Sequence, residues 1–226
     1  MSFNRGWRGP NIVKDGIILY LDPGSPNSYY GGSGNTWKDI SGNNYTSTLY
    51  NGPTYNSDNG GYLSFDGIND YCLTGYTQPT MNDNFLFSWN IWCYPVVSSV
   101  SPIIGNRGSF IPLNFLKLSV NQFEYACDGQ QSNIYFSLSP GNWQNVCIVK
   151  DIDGFGYARI RYFYNKALIG STYPTTIMGT NSVYIGGDVT ASEYSNVRVG
   201  SVQIYNRPLT EAEIVINYNA LSSRYI

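Results

Sequence analysis

Few residues in this chain have the types and spacing to do chemistry. The tightest group of oxygen ligands falls in LSFDGINDYCL, residues 63–73, where Asp66, Asn69 and Asp70 crowd one short stretch. Two carboxylates and an amide suit a hard cation such as calcium, but calcium takes six to eight oxygens, so distant loops would have to contribute. The same residues also make a turn. Asp and Asn side chains accept hydrogen bonds from their own backbone, and Gly67 supplies a positive φ. Apolar alternation on both sides favours a turn between two strands, with calcium as the alternative.

The chain contains no histidine. That removes the usual base near neutral pH and the commonest metal ligand, and with them Ser-His-Asp and Cys-His mechanisms. Cys72, Cys93, Cys127 and Cys147 lie far apart with no CxxC pair, which argues against zinc. Each sits in an apolar run and reads as a small core residue. Glu124 and Asp128 stand four residues apart on a predicted strand, roughly 13 Å, too far for either glycosidase geometry. Asp151 and Asp153 in KDIDGFG are closer, yet a hairpin turn accounts for them and the later acids of a calcium loop are missing. GGSGN, residues 31–35, has the glycines of a phosphate cradle without a following helix.

These side chains must be positioned by strands. With 13 basic and 15 acidic residues the net charge is −2, and only 12% of residues are charged. No basic excess marks a nucleic-acid or anionic-membrane surface. In FLFSWNIWCYP, period-two alternation puts Phe85, Phe87, Trp89, Ile91 and Cys93 on one face. Leu86, Ser88, Asn90, Trp92 and Tyr94 fall on the other. The first face must be core; the second, mixing polar groups with large aromatics, is expected to be partly covered. Similar runs in GIILYLD, LKLSV, QFEYACD, NIYFSL, WQNVCIV, ARIRYFY, SVYIGG and VGSVQIYN are separated by Gly, Asn, Asp and Pro. They predict an all-β, antiparallel two-sheet sandwich.

One helix is expected, at the C-terminal end. Thr210 and Glu213 form a capping box, and Ile214, Tyr218 and Leu221 an apolar stripe that would close one end of the sandwich. The 226 residues suit one large domain, set at 12–226, after an arm of residues 1–11. The arm, with Phe3, Arg5, Trp7 and Arg8, reads as a docking peptide or a frayed terminus. MSFNRGWRGPN lacks the apolar stretch of a secretory signal, so synthesis in a reducing cytoplasm is expected.

In their order, GIILYLDPGSPNSY, TWKDISGNN, LYNGPTYNSDNGGYLSFDGINDY, FSWNIWCYP and GNWQNVCIVKD resemble laminin G-like, concanavalin A-like jelly rolls. RYFYNKALIG, SVYIGGD and VGSVQIYNRPLTEAEIVINYNALSSRYI extend the resemblance, with Lys166 where the family usually has Gly. It covers residues 12–226 and is nearest to single-domain versions in virion proteins of tailed bacteriophages. Those share a short arm, a Y-L-D opening and an N-Y-N-A-L-x-x-R-Y close.

The resemblance implies a concanavalin A-like jelly roll with one short C-terminal helix. It also implies a non-enzymatic virion structural protein: a capsid decoration, fibre or tail-associated subunit, assembled in the host cytoplasm. Such a subunit contacts other virion proteins or itself, with glycan adhesion as an added role. The alternative is a calcium-assisted lectin module for cell-surface polysaccharide. Tyr29, Tyr30, Trp37, Tyr76 and Trp92 are then the candidate glycan or partner contacts, each also readable as a covered sandwich residue. No cofactor is required; calcium at Asp66, Asn69 and Asp70 is the one candidate. Glucanases of this fold carry E-x-D-x-E on one strand, which this chain lacks, so no catalysis is expected.

Overall fold

Alternating strands satisfy both of their faces when two sheets stack, and this chain does so. The structure is a computed structural model that describes residues 10–29, 34–79, 85–96, 100–106, 114–127, 134–174 and 181–226. The first strands are β1 (Ile17–Leu21), β2 (Thr36–Lys38), β3 (Thr46–Tyr50), β4 (Thr54–Asn56), β5 (Tyr62–Asp66) and β6 (Tyr71–Gln78). Next come β7 (Phe87–Pro95), β8 (Ser101–Gly105), β9 (Phe115–Ser119), β10 (Gln122–Ala126), β11 (Ile134–Ser137) and β12 (Gln144–Ile152). The last are β13 (Ala158–Tyr164), β14 (Ala167–Thr172), β15 (Asn181–Ile185), β16 (Gly187–Asp188), β17 (Glu193–Tyr194) and β18 (Asn196–Tyr205), before helix α1 (Glu211–Tyr225).

One eight-stranded sheet has the order β14-β13-β12-β7-β18-β5-β4, with β1 also paired to β18. The other eight-stranded sheet runs β11-β10-β9-β8-β15-β6-β3-β2. Between them lie Trp89, Ile91 and Cys93 of β7, Ile148 of β12, Leu118 of β9 and Phe123 of β10, each at most 1% exposed. All four cysteines are buried and none is in a disulfide. Burial pushes the thiols of Cys72, Cys93 and Cys147 far up, so they behave as small apolar residues.

β18, ten residues long, carries two partners in line along one edge. β1 pairs through Leu19↔Ile204 and Leu21↔Val202, and β5 through Leu63↔Val199 and Phe65↔Val197. Where β1 hands over to β5, Gly24 and Gly61 approach so closely that neither has room for a Cβ. Arg224 from the end of α1 locks this seam, its Nη1 lying 2.9 and 3.0 Å from the two oxygens of Asp22. The Asp22 side chain has no solvent exposure. It also accepts from the Tyr20 hydroxyl and the Gly24 amide, each at 3.0 Å.

The helix lies elsewhere than the sequence predicts. It does not cap an end of the sandwich; it crosses the outer face of the sheet containing β7. Ser88 Oγ accepts from the Leu209 amide and donates to the Arg207 carbonyl, both at 2.9 Å. Leu209 and Ile214 pack on Cys147, Val149, Phe163 and Tyr205. Tyr225 stacks on Trp92 with ring centroids 4.9 Å apart and reaches Trp143 at 4.5 Å. The outer face of β7 is therefore largely covered. Its amides pair across strands: Asn145 Nδ2 donates to Asn90 Oδ1 at 3.0 Å, and Asn90 Nδ2 to Gln203 Oε1 at 2.6 Å.

The capping box of Thr210 and Glu213 is present, and Arg207 Nη2 adds a 2.6 Å bond to Glu213. That guanidinium, then the Thr210 amide and hydroxyl, holds the Glu213 carboxyl down at about 2 against an ordinary 4.5. The resulting stabilisation is complete above the ordinary value and is lost as pH falls toward about 2. In Glu213→Gln, acid titration of the unfolding midpoint should lose this component. Arg224→Met leaves the buried Asp22 charge unpaired and should cost about 3–5 kcal/mol in urea unfolding. Trp92→Ala empties the space under α1 and should cost a similar ~3–5 kcal/mol.

Candidate functional site

The FDGIND segment folds as a turn whose side chains serve its backbone. Asp66 Oδ1 accepts from the amides of Ile68 at 2.8 Å and Asn69 at 3.3 Å. Asp70 Oδ2 accepts from the Asp66 amide at 3.1 Å, and burial pushes the Asp70 carboxyl up. The Asn69 carbonyl receives Asn51 Nδ2 at 2.7 Å. Gly67 has φ +78°, and a Cβ there would meet the Asn196 backbone at 2.9 Å, so the position demands glycine twice over. Among the described residues, no group of three or more His, Cys, Asp or Glu side chains is placed to hold a metal ion.

The predicted stacking aromatics are mostly interior. Trp37 and Trp92 are fully buried, Tyr29 is 4% exposed and Tyr76 is 5% exposed. Trp92 is covered by α1, as described above. Trp37 points inward between exposed Thr36 and Lys38, which gives β2 the pattern of an edge strand over a core. Tyr76 packs edge-on against Tyr45 with centroids 5.5 Å apart, and Tyr29 lies 5.6 Å from Tyr55. A sugar cannot reach rings enclosed in this way, so Tyr29, Trp37, Tyr76 and Trp92 are packing residues, not contact residues. Tyr30 and the arm residues Phe3, Arg5, Trp7 and Arg8 lie outside the described residues.

The acids considered for hydrolysis are engaged in ion pairs or turns. Glu124 sits 3.2 Å from Lys117 Nζ, and Asp128 lies outside the described residues. Asp151 receives Arg159 Nε at 3.0 Å, Arg159 Nη2 at 2.9 Å and Arg161 Nε at 2.7 Å. Asp153 serves a turn as well, and that turn organises a surface.

The β12–β13 hairpin turns at residues 153–157, and beside it the chain leaves β14. Asp153, Phe155, Gly156, Tyr157, Ala158, Tyr173 and Pro174 enclose an open cleft of about 490 Å³. Phe155 is 88% exposed, Tyr157 66% and Tyr173 51%, the densest display of exposed aromatic surface among the described residues. Asp153 Oδ1 accepts from the Phe155 and Tyr157 amides, both at 2.9 Å, and fixes the loop that carries these rings. Its Oδ2 accepts from the Tyr173 hydroxyl at 3.1 Å, tying the end of β14 to the hairpin tip. The Tyr157 amide, with the Phe155 amide and the Tyr173 hydroxyl, holds the Asp153 carboxyl below the usual carboxylate range. The same bond pushes the Tyr173 phenol up. The floor is thus a fixed anion edged by rings that offer flat apolar faces.

Register places this cleft far from the FDGIND turn. Lys150 of β12 pairs with Phe87, while Val197, next to the turn's neighbour Asn196, pairs with Pro95 at the opposite end of β7. The nine residues of β7, at about 3.3 Å per step, separate the two ends by roughly 26 Å.

No curated protein matches this sequence. Among solved structures, the botulinum neurotoxin serotype D binding domain superposes with a TM-score of 0.71 at 16% identity, covering 92% of this chain and 52% of that one. The binding domain of Paraclostridial Mosquitocidal Protein 1 gives 0.68 at 14% identity, with 92% and 52% covered. Botulinum neurotoxin type C, whose cell entry is dependent upon interaction with two ganglioside molecules, gives 0.69 at 16% identity, again with 92% and 52% covered. The chain spans about half the length of these solved chains, and likeness at such identity is one of fold. Residues 65–215, more than half of the chain, match the family described as the concanavalin A-like lectin/glucanases superfamily, and the chain belongs to that family.

Proposed function

We propose that this protein is a non-catalytic, lectin-like binding domain that seats a glycan in the cleft at the β12–β13 tip. The observation that carries this reading is the ring display itself: Phe155 and Tyr157 face solvent while their loop is pinned by Asp153. Large apolar rings held in water by a rigid turn mark interaction surfaces. Aromatic faces receive the C–H faces of sugar rings, and a few fixed polar groups orient the hydroxyls. Two structural neighbours, botulinum neurotoxin type C with its ganglioside-dependent cell entry and the type DC binding domain in complex with rat synaptotagmin II, support a binding role for the fold and do not bear on the class of saccharide or on this cleft. Catalysis is not part of the proposal, since Asp151 is committed to two arginines and Asp153 to its own loop. Calcium is not invoked either.

A second reading, compatible with the first, places the domain on a bacteriophage particle. It is favoured by the two segments that resemble phage virion proteins, Y-L-D and N-Y-N-A-L-x-x-R-Y, which meet in the Asp22–Arg224 pair. In that setting the domain would be a virion subunit held by other virion proteins, with the cleft turned to the host surface.

Tyr157→Ala and Phe155→Ala should each weaken glycan binding about tenfold, measured by titration calorimetry on a ligand found by array screening. Their melting temperatures should stay within about 2 °C of the parent, because exposed substitutions rarely exceed ~0.5 kcal/mol. Because the bonds to its carboxylate hold Asp153 below the usual carboxylate range, acid should loosen the loop, and weaken binding, at a lower pH than an unpaired aspartate would set; calorimetry across a pH series checks this. Chelation with EDTA should leave affinity unchanged. Stoichiometric recovery from purified particles by mass spectrometry would establish the virion setting; absence from them would remove it.

A further inference from the structure

The charges around the cleft are unevenly placed. Of the residues that line it, only Asp153 is ionisable to a full charge at neutral pH, and that charge is negative. The nearest cation among the described residues, Arg159, is close enough for its charge to help hold the Asp153 carboxyl down, yet its hydrogen bonds go to another carboxylate. Arg159 closes its fork on Asp151 through Nε at 3.0 Å and Nη2 at 2.9 Å. Arg161 donates Nε to the same carboxylate and lies 3.7 Å from Glu211. Three donors that an anionic ligand would seek are also spent, because Asp153 itself takes the Phe155 and Tyr157 amides and the Tyr173 hydroxyl. A carboxylate offers about four acceptor positions, so with three filled one remains for an incoming hydroxyl.

We infer that the cleft selects uncharged saccharides and excludes acidic ones, with Asp153 as the discriminating residue. The inference rests on the proposal that the cleft is a glycan seat. A neutral pyranose lays its C–H face on Tyr157 or Phe155 and donates one hydroxyl to Asp153. A sialic or uronic acid would bring a second carboxylate beside the first, where the nearest cation among the described residues, Arg159, is already committed to Asp151. Like charges a few ångströms apart repel even at a wet surface, and repulsion of this kind is a device of specificity as much as attraction is.

The test uses the full chain on a printed array of neutral gluco-, manno-, galacto- and N-acetylglucosamine oligosaccharides beside sialylated and uronic ones. Hits are followed by calorimetry at 0.15 M salt. The expected result is neutral hits bound at least tenfold more tightly than any acidic glycan, and loss of those hits in Tyr157→Ala. Asp153→Asn keeps an oxygen for the loop amides, removes the charge and gives up the bond accepted from the Tyr173 hydroxyl, and Tyr173→Phe serves as the control for that last loss. Asp153→Asn should narrow the neutral-to-acidic ratio at least fivefold, chiefly by raising acidic-glycan binding. Acidic glycans bound as tightly as neutral ones, or a ratio untouched by Asp153→Asn, would overturn the selectivity while leaving the glycan seat standing. Neutral binding that survives Tyr157→Ala would move the seat elsewhere and overturn the inference with it. No binding to any printed glycan by a folded protein would defeat the proposed function itself.

Discussion

The ion pair between Asp22 and Arg224 is the constraint on which the architecture depends. It joins the end of the first strand to the last turn of the only α-helix among the described residues, across 202 positions of sequence. A buried carboxylate is costly unless paired and hydrogen-bonded. Asp22 meets both conditions through Arg224, Tyr20 and the Gly24 amide. The geometry tolerates no bulk nearby: Gly24, Gly60 and Gly61 pack against one another or against Arg224 with no space for side chains. Once the pair forms, Tyr225 must lie on Trp92 and Trp143, and α1 must cover the sheet. The Y-L-D segment at one end of the domain and N-Y-N-A-L-x-x-R-Y at the other are thus a fastening and do not contribute to the cleft.

That fastening divides labour between the sheet face under α1 and the β12–β13 tip. The aromatic-rich side under α1 is filled, and its tyrosines and tryptophans contribute to stability. At the hairpin tip the rings have no such cover. The same residue types therefore do opposite work, and the difference lies in what the rest of the chain brings over them. Fully buried aromatics contribute several kcal/mol to folding, whereas exposed ones are nearly neutral until a partner arrives.

The sandwich was legible in the sequence because alternation is a local property, and β7, β9, β10 and β12 bury the faces that it marks. The capping box was legible for the same reason. Helix placement was not. Nothing within FSWNIWCYP announces that α1, more than a hundred residues later, will cover Trp92. Trp37 could have been read correctly, since TWK repeats the exposed–buried–exposed pattern of a strand whose middle residue faces the core. The cleft was missed because Asp153, Gly154 and Gly156 read first as turn chemistry. Tyr173, twenty residues beyond Asp153, joins them only through the pairing of β13 with β14. FDGIND drew notice for its clustered oxygens, yet those oxygens stabilise their own turn.

The four cysteines carry one more consequence. Sulfur chemistry in proteins proceeds through an accessible thiolate, and here burial withholds access to all four thiols and ionisation from Cys72, Cys93 and Cys147. While folded, the domain is indifferent to the redox poise of its surroundings and can pass from a reducing to an oxidising compartment without acquiring cross-links. Alkylating reagents would then act as a clock, labelling each molecule only when the two sheets part.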